Sequence, residues 1–230
     1  YNMGKALKDS GKFGDAVIAF EKAIFIKPEY VEAYYSMGVA LKSNNQLEAS
    51  VIAYRRALSI DPDHIDAIIN MGNAFLNLGK LKEAIDAFTS VIAKSPDHAN
   101  AHNNMGVALQ AQSKLEESIE CFKKAISIKP DHADAYNNMG ETFQRQGKLK
   151  NSIASFKKAI SIKDDFANAY WNLYGTSKNI GDATNWLIKC LDANPDHLEA
   201  KLTLSALKFW DGDKGNFKAL LKTPLRDHSY

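Results

Sequence analysis

The sequence predicts an all-α protein built from stacked pairs of antiparallel helices, and three observations lead to this prediction. Prolines recur every 34 residues, at Pro28, Pro62, Pro96 and Pro130. Glycines recur with the same spacing, at Gly4, Gly38, Gly72, Gly106 and Gly140. Between these markers, small and apolar residues follow helical spacing instead of the alternation of a strand. A repeat of this length is typical of helical hairpins that stack in a line without closing one large core.

Each repeat is predicted to contain two helices, which become visible when the recurring proline is numbered position 32 and the recurring glycine position 8. Position 20 is small: Ala16, Ser50, Ala84, Ser118 and Ser152. Position 24 is aromatic: Phe20, Tyr54, Phe88, Phe122 and Phe156. Position 27 is alanine or valine: Ala23, Ala57, Val91, Ala125 and Ala159. Positions 4, 7, 8 and 11 share one helical face and positions 20, 24 and 27 share another, so the two helices are expected to pack through these residues.

Short breaker segments separate the predicted helices. Residues 77–80, with the sequence NLGK, lie between the two helices of one repeat. The proline at position 32 ends the second helix because it has no backbone N–H to donate. We expect the aspartate that follows it to cap the next first helix.

This pattern resembles the tetratricopeptide repeat (TPR) family. The resemblance depends on Gly at position 8, a small residue at 20, an aromatic at 24, Ala at 27 and Pro at 32, and it extends through residues 1 to 163. It implies a TPR solenoid, a right-handed superhelix of antiparallel helix pairs, in which the first helices line a concave groove.

Six repeats are predicted, and the first and the sixth depart from the pattern. The boundaries are 1–30 (partial), 31–64, 65–98, 99–132, 133–166 and 167–197. The sixth repeat is three residues shorter, and we expect the loss near residues 181–183. Residues 198–230 are predicted to be a C-terminal capping helix, beginning with Leu198–Trp210, or the lead into a domain that is missing here.

Asparagine recurs at position 6, where packing does not explain it: Asn2, Asn70, Asn104, Asn138 and Asn172, with only Ser36 breaking the series. Position 6 lies roughly 100° around the helix from the core position 7. It belongs to a polar stripe that includes positions 2 and 9. Asparagine inside a helix costs roughly 0.5 kcal/mol relative to alanine, so its recurrence indicates a compensating interaction.

We interpret these residues as an asparagine ladder that binds the backbone of an extended polypeptide, because an amide side chain both donates and accepts hydrogen bonds. The repeats also resemble those of the TPR region of O-linked N-acetylglucosamine transferase. That resemblance implies peptide binding by Asn70, Asn104, Asn138 and Asn172, and more weakly by Asn2. The alternative is that the asparagines bond one another or a neighbouring helix.

Nearby positions supply further candidates for peptide binding: Asn73, Tyr35, Asn103, Asn137 and Trp171. Tyr35 and Trp171 would form side-chain subsites, although packing between repeats is the commoner role of an aromatic residue at such a position. Position 9 reads Lys5, Val39, Asn73, Val107 and Glu141. This set does not form the Lys-Asn-Arg clamp with which other TPR proteins hold a C-terminal carboxylate, so we do not predict binding of chaperone tails.

Composition argues against several other functions. The formal net charge is +2, and the paired basic residues of the second helices are interrupted and accompanied by acidic groups, so no nucleic acid partner is predicted. Membrane insertion is not predicted either, because no apolar run approaches ~20 residues. Cys121 and Cys190 occupy small-residue positions, which predicts buried reduced thiols and a cytoplasmic location.

No metal, cofactor or catalytic residue is predicted. His64, His98, His132 and His197 follow the aspartate at successive repeat ends. Helices pack ~8–10 Å apart whereas zinc ligands lie ~2 Å from their ion, so these histidines are interpreted as turn residues. The sequence therefore predicts a non-catalytic protein-interaction module. One alternative is the substrate-recognition segment of a larger glycosyl- or methyltransferase, and a second is a homo-oligomeric scaffold that self-associates through the C-terminal helix.

Overall fold

A computed structural model describes the backbone of residues 1 to 210 and the side chains of residues 1 to 207. Within this range the chain forms thirteen α-helices and no strand, which confirms the predicted all-α class. The helices are α1 (Asn2–Asp9), α2 (Phe13–Ile26), α3 (Val31–Ser43), α4 (Leu47–Ile60), α5 (Ile65–Asn77), α6 (Leu81–Lys94), α7 (Ala99–Ala111), α8 (Leu115–Ile128), α9 (Ala133–Arg145), α10 (Leu149–Ile162), α11 (Ala167–Tyr174), α12 (Ile180–Ala193) and α13 (Leu198–Trp210).

The chain divides into two compact units, an N-terminal unit of residues 1–128 and a C-terminal unit of residues 129–230. In the N-terminal unit each helix from α1 to α8 packs against the next one, and the first helices α3, α5 and α7 also contact one another in series. In the C-terminal unit α9 to α13 pack in the same order, and α9 contacts α11. Each unit is thus a stack of helical hairpins.

The two helices of each of the first five repeats are joined by an aromatic ring that lies directly on a glycine. All five position-24 rings are completely buried. A Cβ atom added to the glycine at position 8 would lie only 2.5 to 2.7 Å from the nearest atom of the facing ring. These distances are far below van der Waals contact, so only glycine allows the backbone of the first helix to approach the ring. The predicted packing of positions 8 and 24 is confirmed.

The turn inside each of the first five hairpins has a left-handed residue at position 15. The φ angles of Gly11, Asn45, Gly79, Ser113 and Gly147 lie between 58° and 75°. The following residue donates its backbone N–H back into the first helix, as Lys80 does to the carbonyl of Phe75 at 2.9 Å. This is the helix ending that glycine favours. The sequence pattern concealed it because Asn45 and Ser113 interrupt the series of glycines.

Histidine, and not the preceding aspartate, caps α5, α7 and α13, whereas α3, α9 and α11 have no side-chain cap, so the prediction that aspartate caps these helices was wrong. Nδ1 of His64 accepts the backbone N–H of Ala67 at 3.3 Å, and His98 does the same with Ala101 at 3.2 Å. His197 repeats the arrangement before α13, where it accepts the N–H of Ala200. The aspartate lies one residue too early, because a capping side chain reaches the N–H three residues ahead of it.

The shortening of the sixth repeat also lies elsewhere than predicted. Residues 181–183 belong to the first turn of α12, which has the usual 14 residues. Instead α11 has 8 residues, whereas α9 has 13. Asn179 begins α12 by accepting the backbone N–H of Asp182 at 2.8 Å, which fixes the new helix start.

Both cysteines are free, as predicted, although only Cys190 is fully buried and Cys121 is partly exposed. Burial is the main reason why the pKa of each thiol is raised to about 11. Acidic neighbours contribute to the same rise in pKa, Glu117 and Glu120 in the case of Cys121. Both side chains are therefore thiols at neutral pH and behave as small apolar residues.

Membrane-spanning helices and metal clusters are both absent from the part of the chain that the structure describes. None of its helices has the length and apolar character needed to cross a membrane. No group of three or more potential metal ligands comes together there either. The residues predicted to follow α13, 211–230, lie outside the described range.

Replacing a packing glycine should destabilise the protein far more than replacing an exposed one. In Gly72→Ala the new methyl group would meet the ring of Phe88, so we expect the free energy of unfolding to fall by about 1–3 kcal/mol. Gly14→Ala is the matched control, since Gly14 lies in α2 with no atom near its Cβ position. It should be neutral or stabilise by up to about 1 kcal/mol. Urea denaturation measures both, and equal effects would contradict the packing role.

Candidate functional site

The polar side of the first helices carries most of the predicted site residues. Because position 8 packs onto the aromatic ring, positions 6 and 9 turn away from that contact, whereas position 5 lies on the neighbouring, more buried side. We call this side the polar face. In the N-terminal unit it comprises Tyr35, Lys42, Asn70, Asn73, Asn103 and Asn104, and in the C-terminal unit Asn137, Asn138, Glu141, Trp171 and Asn172.

The amide of Asn70 joins α5 to α3. Its Oδ1 accepts a hydrogen bond from Nζ of Lys42 at 2.9 Å. Its Nδ2 donates to the hydroxyl of Tyr35 at 3.1 Å and to the carbonyl of Asp66 at 3.0 Å. Burial lowers the pKa of Lys42 and raises that of Tyr35. Asn70 therefore provides hydrogen bonds to two half-buried polar groups of the preceding repeat, which offset part of the cost of removing those groups from water.

The amide of Asn104 joins α7 to α5 in a similar way. Its Nδ2 donates to Oδ1 of Asn73 at 2.9 Å, and its Oδ1 accepts from Nδ2 of Asn103 at 3.1 Å. Asn103 is only 7% exposed, so its side chain contributes to this network and offers little surface to a binding partner.

The amide of Asn172 joins α11 to α9 in the C-terminal unit. Its Nδ2 donates to Oδ1 of Asn137 at 3.0 Å and to Oε1 of Glu141 at 2.9 Å. Asn137 in turn donates to the same oxygen of Glu141 at 2.8 Å. The carboxylate thus receives two amide N–H groups on one oxygen, and both N–H groups of Asn172 are used.

The ladder asparagines Asn70, Asn104 and Asn172 therefore bond to a neighbouring first helix, which is the alternative that the sequence left open. Each bond spans adjacent repeats and is worth about 0.5–1.5 kcal/mol net, which offsets the cost of asparagine inside a helix. Asn2 is exposed at the start of α1, and Asn138 is half-buried, with Thr142 donating to its backbone carbonyl.

The networks leave some hydrogen-bonding groups open to solvent. Within residues 1–207, Nδ2 of Asn73, Oδ1 of Asn172 and Oε2 of Glu141 have no hydrogen-bond partner. None of these atoms is among the fully buried groups that lack a partner, so each reaches water. The polar face therefore presents donors and acceptors that are held in place by neighbouring bonds.

The two aromatic candidates pack against other rings of their own repeats. The ring of Tyr35 lies 4.8 Å from the capping ring of His64 and 6.1 Å from Tyr54. Trp171 lies 5.1 Å from the rings of both Tyr174 and His197. Both remain partly exposed, so packing is their observed role and a peptide subsite stays a prediction.

Sequence reasoning missed Lys42 altogether, and it placed Glu141 on the polar stripe without naming it as a binding residue. Lys42 occupies position 12 and Glu141 position 9, and each bonds the position-6 asparagine of the next repeat. A search for polar residues one repeat before each asparagine would have found both.

The hydrogen bond between Asn73 and Asn104 should be lost when either side chain is replaced by alanine. We expect Asn73→Ala and Asn104→Ala to be coupled by about 0.5–1.5 kcal/mol in a double-mutant cycle of unfolding free energies. The cycle cancels the helix propensity that alanine gains. Asn104→Ala with Asn2→Ala is the control, and those effects should add because Asn2 is exposed and outside this network. An additive result for Asn73 and Asn104 would show that their bond does not stabilise the fold.

Comparisons with known proteins agree with this architecture. Models described as TPR repeat match residues 4–45, 40–79 and 72–113, and a model described as tetratricopeptide repeat matches residues 97–165. No curated protein matches the sequence significantly.

Several solved structures share the fold. MamA 41-end from Desulfovibrio magneticus RS-1 is 22% identical with a TM-score of 0.65, over 72% of this chain and 93% of that one. TTC0263, a thermophilic TPR protein of Thermus thermophilus, is 19% identical with a TM-score of 0.68, over 78% and 100%. YrrB, described as a TPR protein with an unusual peptide-binding site, is 24% identical with a TM-score of 0.55, over 80% and 97%. Because the repeat models cover more than half of the chain, the protein belongs to the tetratricopeptide repeat family.

Proposed function

We propose that this chain is a non-catalytic interaction module in which the polar side of each unit binds extended polypeptide. The observation that carries the proposal is the set of open groups on amides that the fold holds rigid, above all Nδ2 of Asn73 and Oδ1 of Asn172. In the N-terminal unit Asn73 offers a donor to a peptide C=O, and in the C-terminal unit Asn172 offers an acceptor to a peptide N–H.

Rigidity makes such a face a better binder than free asparagines would be. Asn73 is held by Asn104, and Asn172 is held by Asn137 and Glu141. These side chains are already ordered, so binding costs little of their conformational entropy. Each net bond to a peptide contributes only about 0.5–1.5 kcal/mol, so several bonds and side-chain contacts are required for micromolar affinity.

The proposal modifies the asparagine ladder that the sequence suggested. Asn70 already makes three hydrogen bonds, so it contributes mainly to repeat stacking. Asn73 has two N–H donors and no partner for them within the described residues, so it contributes mainly to binding. The peptide-binding description of YrrB supports this type of function, whereas the resemblance to the transferase repeats stays a prediction.

Replacing the open N–H donor of Asn73 by an acceptor should weaken peptide binding without disturbing the fold. Asn73→Asp keeps the oxygen that Asn104 bonds, but it replaces the donor with an acceptor that repels peptide carbonyls. We expect the Kd of a peptide selected from a random 12-residue display library to rise about tenfold, as the loss of ~1.4 kcal/mol implies.

Asn77→Asp is the matched control, since it makes the same charge change at the exposed end of α5. Fluorescence anisotropy with the labelled peptide measures both variants. Equal Kd values for Asn73→Asp and the wild type would remove Asn73 from the binding face.

Self-association is a second candidate function, favoured by the apolar surface of α13. Leu198 and Leu202 lie one helical turn apart, and they are 61% and 59% exposed. If this surface pairs with a second copy, the wild type should sediment as a dimer at micromolar concentration. The variant with Leu198→Ser and Leu202→Ser should then sediment as a monomer. A monomeric wild type across that range would eliminate the scaffold hypothesis.

A further inference from the structure

Glu141 presents a half-buried carboxylate whose two oxygens have different surroundings. Oε1 accepts the amide N–H groups of Asn137 and Asn172, at 2.8 and 2.9 Å. Oε2 has no hydrogen-bond partner within residues 1–207, and it is not a fully buried atom. The amides therefore fix the carboxyl group in one orientation and leave the second oxygen facing solvent.

This carboxylate also has no counter-ion in the part of the chain that the structure describes. The salt bridges there involve other acids, such as Glu120 with Lys123 on the exposed side of α8. A partly desolvated carboxylate gains more from a cation than a fully hydrated one does, because the local dielectric constant is lower. A charge-assisted hydrogen bond to its free oxygen would be stronger than a bond between neutral groups.

We propose that Glu141 is a subsite for a lysine or arginine side chain of the bound polypeptide. This inference rests on the proposed peptide-binding function and adds the chemistry of one partner residue. Asn137 and Asn172 act as positioning residues, because their bonds to Oε1 hold Oε2 ready to accept a cationic N–H. The partner is therefore an extended segment with a basic residue at one defined place.

The charge pattern of the polar face restricts this subsite to the C-terminal unit. The residues equivalent to Glu141 in the earlier repeats are Lys5, Val39, Asn73 and Val107, none of them acidic. In the N-terminal unit the charged member of the asparagine network is Lys42, which would repel a basic side chain. The acids at position 2 of the same stripe, Glu32, Asp66 and Asp134, are exposed, so the preference for a cation at a half-buried carboxylate depends on Glu141.

Substituting Glu141 by glutamine removes the negative charge while it keeps the size of the side chain and its hydrogen bonds to Asn137 and Asn172. Glu141→Gln keeps an oxygen that can accept from both amides, and it replaces only the free oxygen by an NH2 group. Glu120→Gln is the matched control, because it removes the same charge from an exposed residue of α8.

The experiment uses the full chain to select binders from a random 12-residue display library. We expect peptides selected by the wild type and by Glu120→Gln to be enriched in lysine or arginine at one fixed position. Glu141→Gln should lose at least fivefold of that enrichment. A selected peptide should bind the wild type about tenfold more tightly than its lysine-to-norleucine analogue, whereas Glu141→Gln should bind the two equally.

The outcomes separate the two proposals. Selection of peptides without a basic preference, or with the same preference in Glu141→Gln, would overturn the subsite and leave peptide binding intact. A wild-type chain that selects no peptides would overturn peptide binding and the subsite together. If the thermal melt shows that Glu141→Gln is unfolded, equal binding of the lysine and norleucine peptides by the wild type overturns the subsite instead.

Discussion

The contact between an aromatic ring and a helical glycine is the interaction on which the rest of the structure depends. In each of the first five repeats the ring at position 24 occupies the space that a Cβ at position 8 would need. The two helices of a hairpin can approach closely only because that atom is absent. Since position 8 must face the ring, positions 6 and 9 of the same helix must face away from it. The core contact therefore determines where the polar face lies.

The asparagines of that face stabilise the stacking of repeats, and in our proposal they also order the groups that bind a partner. Asn70, Asn104 and Asn172 each reach back to a residue of the preceding first helix, so they stabilise the stacking of repeats by direct bonds. These bonds also order the side chains that present open donors and acceptors. A surface built in this way needs no conformational change to bind an extended chain, which suits a docking module without chemistry of its own.

Charge distinguishes the two compact units although their repeats share one design. The N-terminal unit places Lys42 against Asn70, and the C-terminal unit places Glu141 against Asn172. Hydrogen bonds from asparagine side chains to a peptide backbone do not depend on the side chains of the peptide. They therefore provide affinity with little sequence selectivity. Single charged residues at fixed places are the simplest source of sequence preference on such a face.

The sequence by itself determined the helical class, the 34-residue repeat and the core, because these depend on periodicities within one helix and on residue types at neighbouring turns. It also located the polar stripe. Only the tertiary structure decided which groups the asparagines bond, since Asn104 and Asn73 are 31 residues apart and meet only when the repeats stack. The capping by His64 and the short helix α11 were likewise decided by exact backbone geometry, which residue types do not reveal. Periodicity reports which side of a helix a residue occupies, whereas its partner depends on how neighbouring helices approach.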